Sequence, residues 1–250
     1  MKTDIITTHS AKKLDQEKTP NIKPMPTWQA ALFFGIPAVL FALNYHYFTL
    51  PSLNRDSLAQ SAIALIGPYV LLFVVSLVAY RSEGNPLSWT ALKDRFRLHK
   101  VTGRTWLTTA ILLVFSLLAN WLLIAIRQQV LAVDIPDMSY TVSTVSGNGK
   151  LLILLGMLTQ VFFNVVGEEA WWRGYILPRQ ELTYGKYTWL VHGSLWTLFH
   201  LYQWWDLAAL LPICLSIAYI SQRSKSIWPA LAMHFAFNSI DLGLLILSSF

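Results

Sequence analysis

The chain has 250 residues, of which 54% are hydrophobic and 13% charged, and its net charge at pH 7 is +6. Soluble proteins carry about 25% charged residues, so this composition excludes an ordinary soluble domain and indicates an integral membrane protein. The single cysteine, Cys214, excludes an intrachain disulfide and a cysteine-based metal site. The positive charge does not indicate nucleic-acid binding, because the basic residues are spread over short loops.

The N-terminal residues 1–27 are polar and charge-rich, without the apolar core of a signal peptide. We expect a polar cytoplasmic leader there, followed by a single transmembrane helical domain over residues 28–249. Seven apolar runs predict membrane-spanning helices: 28–49, 57–80, 105–126, 151–174, 187–205, 207–221 and 227–249. The sixth run is short and contains Pro212, so six or eight spans are alternatives to seven.

The basic residues predict how these spans are oriented. With a cytoplasmic N-terminus, fifteen Lys and Arg residues fall on the inner side and three on the outer side, with Arg173 set aside as part of a motif. Basic residues concentrate in cytoplasmic loops, so the sequence predicts the N-terminus in and the C-terminus out. The fold class is therefore predicted to be all-α, a polytopic transmembrane helical bundle of about seven spans.

Two segments between the runs have their own patterns. Residues 88–100 alternate apolar and basic side chains, which is typical of an interfacial amphipathic helix lying on an anionic leaflet. An ordinary basic loop is an equally good interpretation. Residues 132–149 contain Pro136 and Gly147 and are predicted to form an external loop.

Ionisable side chains interrupt the apolar run at 151–174. Glu168 and Glu169 stand side by side, and Arg173 follows Glu169 by four residues. Charged residues inside a membrane span are costly and are usually functional. On a helix Glu169 and Arg173 share a face and can pair, whereas Glu168 points about 100° away from Glu169. A buried ion pair that only fixes helix packing explains the pair but not Glu168.

A polar stripe precedes Glu168 on its own helical face. Asn164 and Gln160 lie four and eight residues before it. Such a stripe is expected to line a wet cavity, with Asn164 as a substrate-lining residue. A carboxylate held in a cavity of this kind is a candidate general base, and we assign that role to Glu168.

Two histidines lie in later apolar runs. His200 follows Trp196 by one helical turn, and this Trp is expected to cover the imidazole or to lie against a substrate. His234 is followed one turn later by Asn238 on the same face. An imidazole and a carboxamide together can stabilise an oxyanion. Asp241 lies seven residues after His234, and its role stays open between a supporting partner of the site and a packing residue.

In this order, these residues resemble the CPBP family of membrane peptidases, which includes the type II CAAX prenyl endopeptidases and bacterial Abi-type proteins. The EExxxR motif is matched at 168–173, with a following sequence similar to the family's WRGYLLP form. The HxxxN motif is intact at 234–238. The FxxxH motif is matched at 196–200 with one departure, because Trp196 stands at its first position. The resemblance covers about residues 150–240, which we take as the peptidase core.

The resemblance implies an intramembrane endopeptidase. Glu168 and His200 would activate a water molecule, and His234 and Asn238 would orient the scissile carbonyl and stabilise the tetrahedral intermediate. The neighbouring glutamate and arginine, Glu169 and Arg173, would brace the site. The implied partners are the lipid bilayer and a membrane-associated protein or peptide substrate. The implied location is the bacterial cytoplasmic membrane.

A metal-free mechanism is favoured over a zinc-dependent one. Glu168, His200 and His234 form a His2Glu set that could bind zinc or another divalent metal with one position open. The sequence lacks an HExxH motif, however, and a glutamate that ligates zinc cannot also serve as the base.

Two function classes compete with the peptidase. One is a catalytically silent membrane scaffold that sequesters a partner, or a protein conferring immunity to a peptide toxin, and the complete set of polar site residues argues against it. A proton-coupled transporter would use buried acids and histidines as a relay. The transporter ranks last, because the first three apolar runs do not align with the last four as inverted repeats would.

Overall fold

The computed structural model describes residues 22–49, 58–130 and 148–249. These residues are helical throughout apart from short connections, and no strand occurs among them. The nine α-helices in the described ranges, numbered here in chain order, are α1 Thr27–Asn44, α2 Leu58–Ser82, α3 Trp89–Arg95, α4 Gly103–Val130, α5 Asn148–Glu169, α6 Leu177–Tyr184, α7 Thr188–Phe199, α8 Leu207–Ser224 and α9 Trp228–Ser249.

Four of these helices are extended by turns of other helical types, one of which is the 3₁₀ turn Gly185–Tyr187 between α6 and α7. A π-helical turn, Tyr45–Thr49, continues α1, and a longer π-helical segment, Ala170–Ile176, joins α5 to α6. A 3₁₀ segment, His200–Asp206, joins α7 to α8. Each of the seven predicted apolar runs corresponds to a helix, and the all-helical fold class is confirmed for the described residues.

Four helical stretches of the described chain are long and apolar enough to cross a membrane. They are Thr27–Thr49, Ile63–Ser82, Gly103–Val130 and Leu155–Ser224, the last of which runs through four of the α-helices. The chain is therefore an integral membrane protein by the length and apolarity of its helices. The predicted number of seven spans and the predicted orientation of the termini stay predictions.

Several sequence predictions fall on residues outside the described ranges. The leader, residues 1–27, and the external loop, residues 132–149, lie almost wholly there, and the side chain of Asp241 also lies outside the described part. The division into a leader and one transmembrane domain stays a prediction.

The outer surfaces of the long helices are apolar. In α2 and α4, large side chains such as Ile63, Leu118 and Trp121 are more than 60% exposed. A soluble protein would bury such residues, whereas a helix that faces lipid must present them. The exposure of these large apolar side chains agrees with the integral membrane protein that the composition indicates.

Helix α8 packs against α4, α7 and α9. Polar contacts join α8 to α4 inside this apolar bundle: the Ser116 hydroxyl donates to the Ser216 hydroxyl at 3.0 Å, and the Asn120 amide donates to the carbonyl of Ala209 at 3.0 Å. Small and polar residues hold helices together in lipid, where the hydrophobic effect offers no preference between a helix and a lipid tail.

Helix α3 differs from the interfacial helix predicted for residues 88–100. It is helical from Trp89 to Arg95, but Arg95 is fully buried and donates to the carbonyls of Gly174 and Tyr175 and to the carboxylate of Glu83. These acceptors belong to the folded chain, so Arg95 does not face an anionic leaflet. The alternation of apolar and basic residues does not indicate whether a basic side chain binds a lipid headgroup or an acceptor from a distant part of the chain.

Gly167 allows α5 to approach α2 closely. A Cβ atom at this position would lie 2.2 Å from the backbone oxygen of Tyr69. We expect Gly167→Ala to lower the free energy of unfolding in detergent by about 1–3 kcal/mol, because α2 must move away from α5. Gly156→Ala in the same helix is the matched control, since a Cβ there meets no atom within 4 Å. Equal stability of the two variants would contradict this close packing.

Candidate active site

The two adjacent glutamates lie where α5 passes into the π-helical segment Ala170–Ile176. Every residue of this segment is buried. π-helical turns are rare and often occur at functional sites, because they shift side chains out of the regular α-helical register. Both carboxylates are almost fully buried, with Glu168 1% and Glu169 0% exposed.

Glu168 accepts hydrogen bonds from three side chains. Asn164 Nδ2 donates to Oε1 at 3.1 Å, and the indole nitrogens of Trp172 and Trp196 donate to Oε2 at 3.2 and 2.7 Å. All three are neutral donors, which stabilise the ionised carboxylate without forming an ion pair with it. A carboxylate has about four acceptor positions, so these bonds leave room for a further donor such as water.

Glu169 joins two helices through one oxygen. Its Oε1 accepts from Arg173 Nη1 at 3.1 Å and is 2.8 Å from His234 Nδ1. The predicted pairing of Glu169 with Arg173 is therefore present. The Arg173 guanidinium lies over the Trp196 ring, 3.5 Å from its centroid. This cluster connects α5, α7 and α9.

His200 is the first residue of the 3₁₀ segment that follows α7. Its Nδ1 lies 2.9 Å from the carbonyl oxygen of Trp196. A carbonyl only accepts, so Nδ1 carries the proton and Nε2 is left to accept one. His200 also lies near enough to Glu168 and His234 for electrostatic interaction with both.

The structure brings the predicted site residues together around Trp196. Its ring centroid lies 5.6 Å from that of His200 and 5.4 Å from that of His234. On the other side of the site, Asn238 Nδ2 donates to Asn164 Oδ1 at 2.7 Å. Asn164 thus connects Asn238 to Glu168, and residues from three separate helices form one hydrogen-bonded network.

Two residues predicted to line the substrate also support Glu168. Trp196 and Asn164 are only 2% and 7% exposed, and both donate to Glu168. Their polar groups are directed at the carboxylate because a buried charge requires donors. The Trp196 ring also lies against the His200 imidazole, which was one of the two expectations for it, and contact of either residue with a substrate stays a prediction.

Three further residues adjoin the site, and the sequence analysis gave none of them a role in it. Trp172 donates to Glu168, and Tyr69 and Tyr202 line a cavity of about 140 Å³. The predicted polar stripe reaches this cavity at Gln160. Trp172 could have been found from its spacing of four residues after Glu168. Tyr69 has no such signal, because it comes from α2, about a hundred residues earlier in the chain.

The alternative zinc set is Glu168, His200 and His234. No group of three His, Cys, Asp or Glu side chains in the described ranges is placed to hold a metal ion. Glu168 accepts from three N–H donors, whereas His200 and His234 use Nδ1 in other contacts and keep Nε2 available. The metal requirement stays a prediction, and no step below uses a metal.

Comparison with known families identifies the segment that contains the motifs. The family model described as type II CAAX prenyl endopeptidase Rce1-like matches residues 150–240. Over this segment the chain is similar to the Rce1-like family. The match confirms the resemblance to CPBP peptidases, a family of CAAX-type intramembrane proteases that act on membrane-associated peptides. Neither the curated proteins nor the solved structures yielded a match.

Trp196 distinguishes this chain from the FxxxH pattern of the family it resembles. Trp196→Phe keeps an aromatic ring under Arg173 but removes the indole donor from Glu168. Hydrogen bonds to a charged group contribute about 1.5–3 kcal/mol, so we expect kcat for peptide cleavage to fall roughly 10- to 100-fold. Trp189→Phe in the same helix, α7, is the matched control, because its half-buried ring packs against Tyr219 outside the site. Equal rates in the two variants would contradict a role for the Trp196 donor.

Proposed function

We propose that the protein is an intramembrane endopeptidase in which Glu168 and His200 activate the attacking water. The observation that carries this proposal is the buried network that joins Glu168, His200, His234 and Asn238 through Trp196 and Asn164. Residues that are far apart in sequence come together here and supply a base, imidazole rings and amide donors. That combination suits hydrolysis of an amide bond.

The proposed reaction begins with a water held between Glu168 and the unprotonated Nε2 of His200. One of these groups takes a proton as the water oxygen attacks the scissile carbonyl carbon. The proton is then returned to the leaving amine as the C–N bond breaks. Glu168 suits the role of base because its neutral donors fix its position.

His234 and Asn238 are proposed to stabilise the oxyanion. Nδ1 of His234 is engaged with Glu169, so the ring can donate to the oxyanion only through a protonated Nε2. In the proposed catalytic step both nitrogens of the His234 ring are therefore protonated, and the carboxylate of Glu169 compensates the positive charge of this ring. Asn238 donates one N–H to Asn164 and has a second N–H for the substrate.

The substrate is proposed to arrive from the membrane. An apolar groove of about 370 Å³ lies between α1 and α2 and is lined by residues including Leu32, Ile36, Leu71 and Trp171. Several of these side chains are exposed on the surface that lipid would cover. Trp171 packs against Trp172, which donates to Glu168, so the proposed path from the lipid side leads from the groove along these two rings.

The test is cleavage of membrane-anchored peptides by the full chain reconstituted in lipid vesicles. We expect Glu168→Ala, His200→Ala and His234→Ala each to remove cutting, and His46→Ala, at an exposed position, to retain it. Wild-type-like cleavage by the His200 and His234 variants would overturn the proposal. Uptake driven by an ion gradient would favour the transporter alternative instead.

The metal-free mechanism has its own test. We expect the purified protein to keep full cleavage activity after treatment with a strong chelator, and its zinc content to be far below one ion per chain. Loss of activity on chelation, with recovery on adding zinc, would show that the site rearranges to bind metal.

A further inference from the structure

The cavity of about 140 Å³ lies beside the proposed catalytic residues. It is lined by residues of α1, α2 and α5 and of the 3₁₀ segment His200–Asp206. Its polar wall is made of carboxamides and hydroxyls, while Phe41, Leu65 and Pro68 complete it. The polar lining residues are Asn44, Tyr45, Thr49, Tyr69, Gln160, Tyr202 and Gln203.

Two tyrosines connect this cavity to the site. Side chains placed to hydrogen-bond the Tyr69 hydroxyl include Asn164 and Tyr202, and Asn164 in turn donates to Glu168. The Tyr202 ring centroid lies 6.0 Å from that of His200. The cavity therefore adjoins both residues proposed to activate water. A group bound in it would lie next to the scissile bond.

The chemistry of the lining restricts what the cavity can bind. None of the described residues that line it is acidic or basic. Burying a charge without a partner costs several kcal/mol, whereas a neutral polar group can exchange its water for hydroxyl and carboxamide partners. The volume exceeds the ~30 Å³ of one water molecule severalfold, so a small side chain fits.

We propose that this cavity is a substrate subsite that receives an uncharged polar side chain of the peptide next to the cleaved bond. The inference rests on the proposed peptidase function and adds a specificity to it. Gln160 is the residue best placed to read that side chain, because it lies at the end of the polar stripe and is only partly buried.

The experiment measures kcat/KM in vesicles for peptides that differ at one position near the cut and carry Asn, Asp, Lys or Leu there. Several positions on either side of the cut are varied in turn. At one of them the wild type is expected to cleave the Asn peptide at least tenfold better than the Asp and Lys peptides. Gln160→Glu keeps the side-chain volume and adds a carboxylate. It is expected to raise the Lys-to-Asn ratio of kcat/KM at least tenfold.

Gln160→Met is the matched neutral control. It is expected to reduce the preference for Asn over Leu without improving the Lys peptide. A purely structural role for Gln160 would change all four peptides by the same factor, and that result would overturn the subsite. Equal cleavage of Asn, Asp and Lys peptides by the wild type at every position would also overturn it while leaving the peptidase proposal intact. No cleavage of any peptide would refute both.

Discussion

Glu168→Gln is expected to lower kcat for peptide cleavage by about 10²- to 10⁴-fold, the usual contribution of a general base. The substitution keeps the size of the side chain but removes its ability to take a proton. It also changes the hydrogen bonds. The glutamine oxygen can still accept from Trp172 and Trp196, but its NH2 group would face the Asn164 donor that now contacts Oε1.

The measurement compares single-turnover cleavage in vesicles with the unfolding temperature in detergent. Glu181→Gln is the control, because Glu181 pairs with Arg97 and Lys225 away from the site. We expect it to cleave at the wild-type rate. Glu168→Gln protein that folds and still cleaves within threefold of the wild type would exclude Glu168 as the base. His200 would then be the remaining candidate.

Much of the fold could be predicted from hydropathy. The apolar runs correspond to helices because a membrane span must satisfy its backbone hydrogen bonds internally, which leaves few alternatives to a helix. The π-helical segment Ala170–Ile176 was not predicted. It packs against α2, and Arg95 of α3 donates to the carbonyls of Gly174 and Tyr175 within it. Such long-range contacts leave no periodic signal.

The members of the candidate site could be predicted, but not all their contacts. The pairing of Glu169 with Arg173 follows from a spacing of four residues on a helix. The contact of His234 with Glu169 joins α9 to α5, and no local spacing predicts it. The indole donor of Trp196 was also missed, because the family pattern places a residue there that has no N–H group. The number of spans, the bacterial location and the likeness to Abi-type proteins stay predictions.

Arg173→Met is expected to destabilise the protein by about 3–5 kcal/mol, because the buried carboxylate of Glu169 loses the guanidinium and keeps His234 as its partner. Both side chains are fully buried, and Arg173 also stacks on the Trp196 ring. Loss of the guanidinium frees Trp196 and His234 to shift, so cleavage is expected to fall as well. Arg223→Met, at an exposed position in the last turn of α8, is the control and is expected to change stability by less than about 0.5 kcal/mol.

The double variant Glu169→Gln with Arg173→Met separates charge from packing. Replacing a whole buried ion pair by neutral groups is often close to neutral for stability, so the double variant is expected to be more stable than Arg173→Met alone. Its cleavage is nevertheless expected to stay low, because His234 has lost the carboxylate that compensates its second proton. Recovery of stability and activity together would show that Glu169 serves the fold alone. Recovery of stability without activity, together with low cleavage by Glu169→Gln alone, assigns the carboxylate to the charge of His234 in the proposed oxyanion site.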